Sequence, residues 1–248
     1  MPTTHLIFRF CLDLRIFCVS LCLMNEDKNI IVGFDAKRVV RNGTGLGAYG
    51  RNLVNDLAAL YPNAQLLLYA PDAGREDLAR QVKSAPNLRM VYPKNAKNAL
   101  KKVAWRSGGV VKDLLRDGVQ VFHGLSGELP KGVKHAGIDT VVTIHDLIFM
   151  RHPEFYHWWD ALIYRWKFHQ TLKEANRIIA ISQCTKRDIM KYGHYPEERI
   201  SVIYQSCDTR FRQRATPEKL HEVRQRYALP SRFVLNVGTI EARKNVLL

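Results

Sequence analysis

No Cys-x-x-Cys pair occurs in this 248-residue chain, and its five cysteines are odd in number, with three in the first 22 residues. That excludes a disulfide framework and a zinc ribbon, and it fits a reducing compartment. Helix-turn-helix patterning, zinc-finger spacing and an aromatic-rich ribonucleoprotein signature are missing as well, so no specific nucleic-acid partner is expected. There is no internal repeat and no low-complexity tract. Long apolar runs are also lacking: Ile16–Met24 is only nine residues, too short to span a bilayer. Two readings of residues 1–24 stand open. Arg9 and Arg15 ahead of an apolar core suit a signal or anchor, whereas Asp13 and the missing small-x-small site suit a native start at Met24.

What is present is ordinary apolar content, 46%, with an excess of 38 Lys and Arg over 23 Asp and Glu, a net charge of +15. This charge suits a polyanionic neighbour: nucleic acid, anionic lipid or a nucleotide-bearing substrate. A local basic cluster gathers Lys94, Lys97, Lys101, Lys102 and Arg106.

From Asn29 onward, apolar runs alternate with helical patterns. Strands are predicted at Ile30–Phe34, Leu66–Tyr69, Leu88–Tyr92, Val119–His123, Thr140–His145, Ile178–Ser182 and Ser201–Tyr204. Most are continuous β-branched or leucine-rich runs, as in strands buried on both faces. Helices are predicted at Tyr49–Leu60, Ala96–Ser107 with Val110–Arg116, Tyr156–Ala175 and Gln183–Tyr192. The alternation implies an α/β fold, a doubly wound parallel sheet with right-handed crossovers. A polar passage, Gln205–Ala215, and a short helix at Thr216-Pro217-Glu218 lead to an eighth apolar run, Phe233–Val237. That run and Gly238 read as the opening of a second α/β domain. The expected division is a 1–24 extension, a 25–206 domain, and 207–248 as linker and incomplete second domain.

Three constellations sit at strand ends, where open parallel sheets bind ligands. Gly43-Thr-Gly-Leu-Gly-Ala-Tyr-Gly50 precedes a helix whose N–H groups suit an anion. Its Gly45-x-Gly47-x-x-Gly50 also matches a dinucleotide fingerprint, with Asp72 at the second strand's end, although about ten residues separate the first strand from Gly45. Phosphate contact, an NAD(P)-dependent oxidoreductase and a plain helix entry all remain open there. The strand Thr140–His145 ends in His145-Asp146, where imidazole can carry a proton or meet a hydroxyl and the carboxylate can orient it. Phe122–Pro130, with His123, can line the same cleft. The aromatic residues Tyr156, Trp158, Trp159, Tyr164, Trp166 and Phe168 are expected to pack a helix. Last, Arg243 and Lys244 follow Gly238-Thr239 and would neutralise a diphosphate.

In this order the motifs resemble a retaining glycosyltransferase of the two-Rossmann-domain (GT-B) class, family 4. The matching stretches are Asp35-Ala-Lys-Arg with Thr44-Gly-Leu-Gly-Ala-Tyr, Ile144-His-Asp-Leu-Ile-Phe with Pro153-Glu, Ala175–Ser182, and Gly238–Asn245. The resemblance runs from about Ile30 to the last residue. It implies transfer of a hexose from a nucleotide diphosphate sugar to a glycan or lipid-linked acceptor, in a cytoplasmic setting. His145 and Asp146 would sit at the reacting centre. Thr44, Gly45, Gly47, His123, Gly238, Thr239, Arg243 and Lys244 would meet the donor. No Asp-x-Asp occurs, so neither metal nor other cofactor is expected. The basic Asn95–Arg116 segment implies peripheral contact with anionic membrane. Two departures from the family pattern are a missing Glu pair, normally seven residues apart, and Cys207 where Gly is common. The chain on this reading is an acceptor-side fragment, inactive alone. A binding module for membrane or nucleic acid is the non-enzymatic alternative.

Overall fold

A computed structural model describes residues 30–207, 211, 213–241, 244 and 246; the expected 1–24 extension lies outside the described residues. The sheet has seven strands: β1 (Ile31–Asp35), β2 (Gln65–Tyr69), β3 (Leu88–Val91), β4 (Val121–Gly124), β5 (Asp139–Ile144), β6 (Arg177–Ala180) and β7 (Ile200–Val202). All pair in parallel, in the order β3-β2-β1-β4-β5-β6-β7. Every strand read from the sequence up to Tyr204 is present, with ends moved by one or two residues.

The chain runs outward from β1 to β3, returns to the middle, and runs outward again from β4 to β7. Helices therefore fall on both faces. On one face, α1 (Lys37–Arg41) and α2 (Gly45–Leu60) set Val39, Val40, Val54 and Leu57 against Val32, Phe34, Leu66, Leu68 and Val121. Short α3 (Glu76–Ala79) adds Leu78. On the other face, α4 (Ala99–Ala104) continues through a π-helical turn, Trp105–Gly109, into α5 (Val110–Arg116). There Val110 and Leu114 cover Leu67, Tyr69 and Phe122. After α6 (Ile148–Arg151), α7 (Trp158–Glu174) and α8 (Gln183–Gly193) set Phe168 and Ile189 over Val142, Ile144, Ile178 and Ala180. Each such buried side chain contributes about 1.5–3 kcal/mol.

Side-chain caps fix where several helices begin. Asn98 Oδ1 accepts from Lys101 N at 2.8 Å, and Ser182 Oγ accepts from Thr185 N at 3.0 Å. Thr216 caps α9 (Pro217–Arg226), which contributes no buried residue. The expected eighth strand is corrected. Phe233–Val237 forms no ladder, and Val234 is 99% exposed. A strand is a member of a ladder, and among the described residues none pairs with this run. The expected α7 packing is corrected in part: Phe168 is buried, but Trp158, Trp159 and Trp166 are more than half exposed.

Candidate active site

His145 is the first residue beyond β5, so the sheet edge carries its imidazole outward. Both ring nitrogens are engaged. Nε2 lies 2.9 Å from the Leu125 carbonyl, and Nδ1 lies 2.8 Å from the Gln205 side-chain nitrogen. A carbonyl can only accept, so Nε2 carries the proton and Nδ1 accepts from the carboxamide. The Tyr49 ring meets the imidazole edge-on, 5.0 Å between centroids. Thr185 Oγ1 donates to the His145 carbonyl at 3.1 Å, pinning the backbone to α8. Burial lowers the His145 pKa and Arg38 adds to it, against the Leu125 carbonyl and Asp146. The net lowering favours a neutral imidazole.

Asp146 does not orient it. Its Oδ1 accepts from Ile148 N at 3.2 Å, at the first turn of α6. A carboxylate two residues ahead of a free helical N–H is drawn to that donor. His123 is corrected too: it has no exposed surface and cannot meet a donor. Its Nε2 lies 2.8 Å from Thr143 Oγ1, which lies 3.0 Å from the Tyr49 hydroxyl. Burial pushes His123 down to about 3 and Tyr49 up to about 12. Beneath His145 therefore runs a polar chain of uncharged groups, His123–Thr143–Tyr49.

The glycine segment is helix rather than loop, because α2 starts at Gly45. Asn42 Oδ1 gathers Thr44 N, Thr44 Oγ1 and Gly47 N at 2.9, 2.7 and 3.1 Å. A Cβ on Gly47 would stand 1.8 Å from the Asn42 carbonyl oxygen and 2.8 Å from that of Arg38. Gly50 is closed in the same way, its Cβ position 2.8 Å from Val39. Those glycines permit helix packing and do not face a ligand. Gly45 alone of the three is open, with nothing within 4 Å of a Cβ. The dinucleotide reading fails on this arrangement. Helix α1 intervenes after β1, and Asp72 is held by Arg41 and by Lys102 Nζ at 2.7 Å.

A cavity of about 550 Å³ opens outside the carboxyl ends of β1 and β4, the point where the strand order reverses and where such sheets bind ligands. Arg106, in the π-helical turn, bridges Asp35 at the end of β1 and Glu128 beyond β4; its Nε is 3.1 Å from Asp35 Oδ1. Lys167 of α7 donates to Glu128 at 3.2 Å. Burial alone would raise the Glu128 carboxyl, but Arg106 and Lys167 bring it down to about 2. Trp105, Tyr69, Phe122, Trp166 and Gln170 line the cavity as well. Fixed carboxylates and a guanidinium beside aromatic faces can bind hydroxyls while ring faces stack. Glu128 fell within the Phe122–Pro130 passage singled out in the sequence. Arg106 and Lys102 belong to the basic cluster of the Asn95–Arg116 segment, yet both turn inward, and only their distant partners, Asp35, Glu128 and Asp72, disclose it.

Thr239 Oγ1 donates to Glu241 at 2.6 Å and Lys244 N to the Glu241 carbonyl at 2.9 Å. Among the described residues no hydrogen bond joins this segment to His145 or Gly45. Arg243 lies outside the described residues.

Comparison with known proteins adds to this geometry. The profile of Glycosyltransferase Family 4 matches residues 43–211. Over 128 residues the chain is 32% identical to O-antigen chain mannosyltransferase B of Escherichia coli, covering 51% of this chain and 32% of that protein. Anabaena HepE, solved in complex with UDP and glucose, superposes with a TM-score of 0.52 at 16% identity, over 81% of this chain and 50% of that one. A glycosyltransferase from Rickettsia africae gives 0.50 at 13% identity, over 83% and 51%. At such identities the two structures speak to the fold. The chain spans about a third of the curated relative and half of HepE.

Proposed function

Because the chain belongs to Glycosyltransferase Family 4, we propose that it forms the acceptor side of an enzyme moving a hexose from a nucleotide diphosphate sugar to a glycan or lipid-linked hydroxyl, with retained configuration and without a metal. The observation carrying this reading is the cavity at the strand-order reversal, where Arg106 is clamped between Asp35 and Glu128 beside Trp166. An acceptor sugar stacks on Trp166, and its hydroxyls donate to the two carboxylates. The neutral His145 faces the donor sugar without adding charge. The open start of α2 at Gly45 directs N–H groups at the donor phosphates.

In the reaction the bond from the anomeric carbon to the diphosphate oxygen breaks and the acceptor oxygen takes its place. The acceptor proton passes to the departing phosphate. Negative charge grows on that leaving group, so cations and helix N–H groups supply the main stabilisation; Arg243 and Lys244 are assigned to it by the family motif. A nucleotide sugar donor is supported by the UDP and glucose held by HepE. The mannosyltransferase relative supports a hexose as the group moved. On the same reading, acceptors reach the cavity from an anionic membrane surface, by way of the outward residues of Asn95–Arg116.

Saturation-transfer NMR with a hexose disaccharide tests the acceptor assignment. Saturation of the sugar-ring protons is expected for the native chain. Trp166→Ala, at a position 63% exposed, should fold normally and reduce the signal at least fivefold. Equal saturation in both proteins, or none in either, removes the assignment.

A further inference from the structure

The side chain that hydrogen-bonds the His145 ring is Gln205, from beyond the last strand of the sheet. Strand β7 ends at Val202, and Ile203 N still bonds the Ala180 carbonyl at 3.0 Å, which sets where the chain leaves the sheet. Two residues on, Gln205 turns back to the imidazole, 60 positions from it in sequence, at 2.8 Å. Gln205 is itself exposed, so water was available to Nδ1, yet a fixed donor occupies the position.

We infer that Gln205 is a positioning residue: with the Leu125 carbonyl, its carboxamide fixes His145 as the neutral Nε2–H tautomer and sets the rotation of the ring. The argument is one of donors and acceptors. Leu125 O demands a proton on Nε2, which leaves a lone pair on Nδ1 of the neutral ring, and of the two ends of the Gln205 carboxamide only the amino end satisfies it. The edge contact from Tyr49 limits tilt but leaves the ring free to turn over. Two hydrogen bonds on opposite nitrogens stop that turn. Other groups acting on the imidazole are Arg38 of α1, which disfavours its charge, and Asp146, which favours it. Thr185 of α8 holds only the backbone. The role in catalysis rests on the glycosyl-transfer reading; the tautomer does not.

The test is histidine 15N NMR on the whole chain between pH 5 and 8, without donor or acceptor. In the native chain the His145 shifts should report a protonated Nε2 and a bare Nδ1. Gln205→Glu places a carboxylate at Nδ1 and should raise the His145 midpoint by a unit or more. Gln205→Leu removes the donor, and the two-bond pattern should become an average of both tautomers. The shifts of buried His123 verify that each variant remains folded. If neither substitution moves the His145 signals, or if Gln205→Glu leaves the midpoint where it was, the inference is wrong. A failure of the disaccharide saturation test with the histidine result intact would strike the proposed function and leave the positioning role standing.

Discussion

His123, fully buried, and Glu128, partly exposed, are held by different devices and respond to acid in different windows. His123 sits at about 3, because burial first, and then the charge that neighbouring His145 gains in acid, disfavour its protonated form. An unfolded imidazole takes up its proton near pH 6.5. Below that value the unfolded chain binds a proton that the folded chain refuses. Stability is therefore complete above about pH 6.5 and is lost as pH falls toward 3, by up to roughly 1.4 kcal/mol per unit. His145, lowered in the same direction, adds to that slope. Glu128, held down at about 2, begins to matter only below about pH 4.3, where an unfolded carboxyl protonates. His123→Gln keeps a partner for Thr143 and cannot titrate. Urea unfolding from pH 7 to 4.5 should show the native chain losing at least 1 kcal/mol more than the variant. Parallel curves would mean that His123 is protonated in the folded protein.

Among the elements, α2 separates two kinds of glycine that look alike in sequence. Gly47 packs against the carbonyls of Asn42 and Arg38, whereas nothing stands near Gly45. Gly47→Ala should cost about 3 kcal/mol as an overpacking change, and Gly45→Ala should be neutral or stabilise by up to about 1 kcal/mol. Thermal melts of the two variants decide this, and similar destabilisation would show that the helix starts later. The same helix shows what the sequence reveals and what it hides. The seven strands were legible because burial on both faces writes itself as continuous apolar runs. His145 at the end of β5 was legible for a related reason, since a polar residue closing such a run stands at the sheet edge. The start of α2 was not: glycine lowers helix propensity, and only tertiary contact with α1 explains two of the three glycines in its first two turns, Gly47 and Gly50. Nor was the π-helical turn, which aims Arg106 at Asp35, 71 residues away. The run Phe233–Val237 has strand composition yet forms no strand, because composition cannot supply a partner. Asp146 illustrates the same limit at a shorter range, since the α6 N–H group outbids the imidazole beside it in sequence.

For the molecule as a whole, the net charge of +15 is not spread evenly around the proposed acceptor cavity. Of the basic cluster, Lys102 and Arg106 turn inward to Asp72, Asp35 and Glu128, while Lys94, Lys97 and Lys101 remain exposed. Beside them Leu100 is 82% exposed. Helix α7, whose Trp166 lines the same cavity, exposes a stripe of Trp158, Trp159, Leu162, Ile163 and Trp166 at helical spacing. No helix of the described residues is long and apolar enough to cross a membrane. Basic residues and aromatic rings flanking one opening suit a surface that lies against anionic headgroups while the opening stays accessible. We propose that delivery of a lipid-linked acceptor uses this face. The chain should sediment with vesicles containing anionic phospholipid, bind neutral vesicles weakly, and be released by salt, since exposed charges are screened within about 10 Å at 0.1 M. Lys97→Glu with Lys101→Glu reverses two charges, each worth about 1 kcal/mol near such a surface, and should weaken binding at least tenfold. Trp158 and Trp159 provide an independent reading, because their fluorescence should shift to the blue only with anionic vesicles. Sedimentation that is indifferent to headgroup charge, or unchanged by the double substitution, would leave the exposed stripe on α7 without a membrane role and return the acceptor to solution.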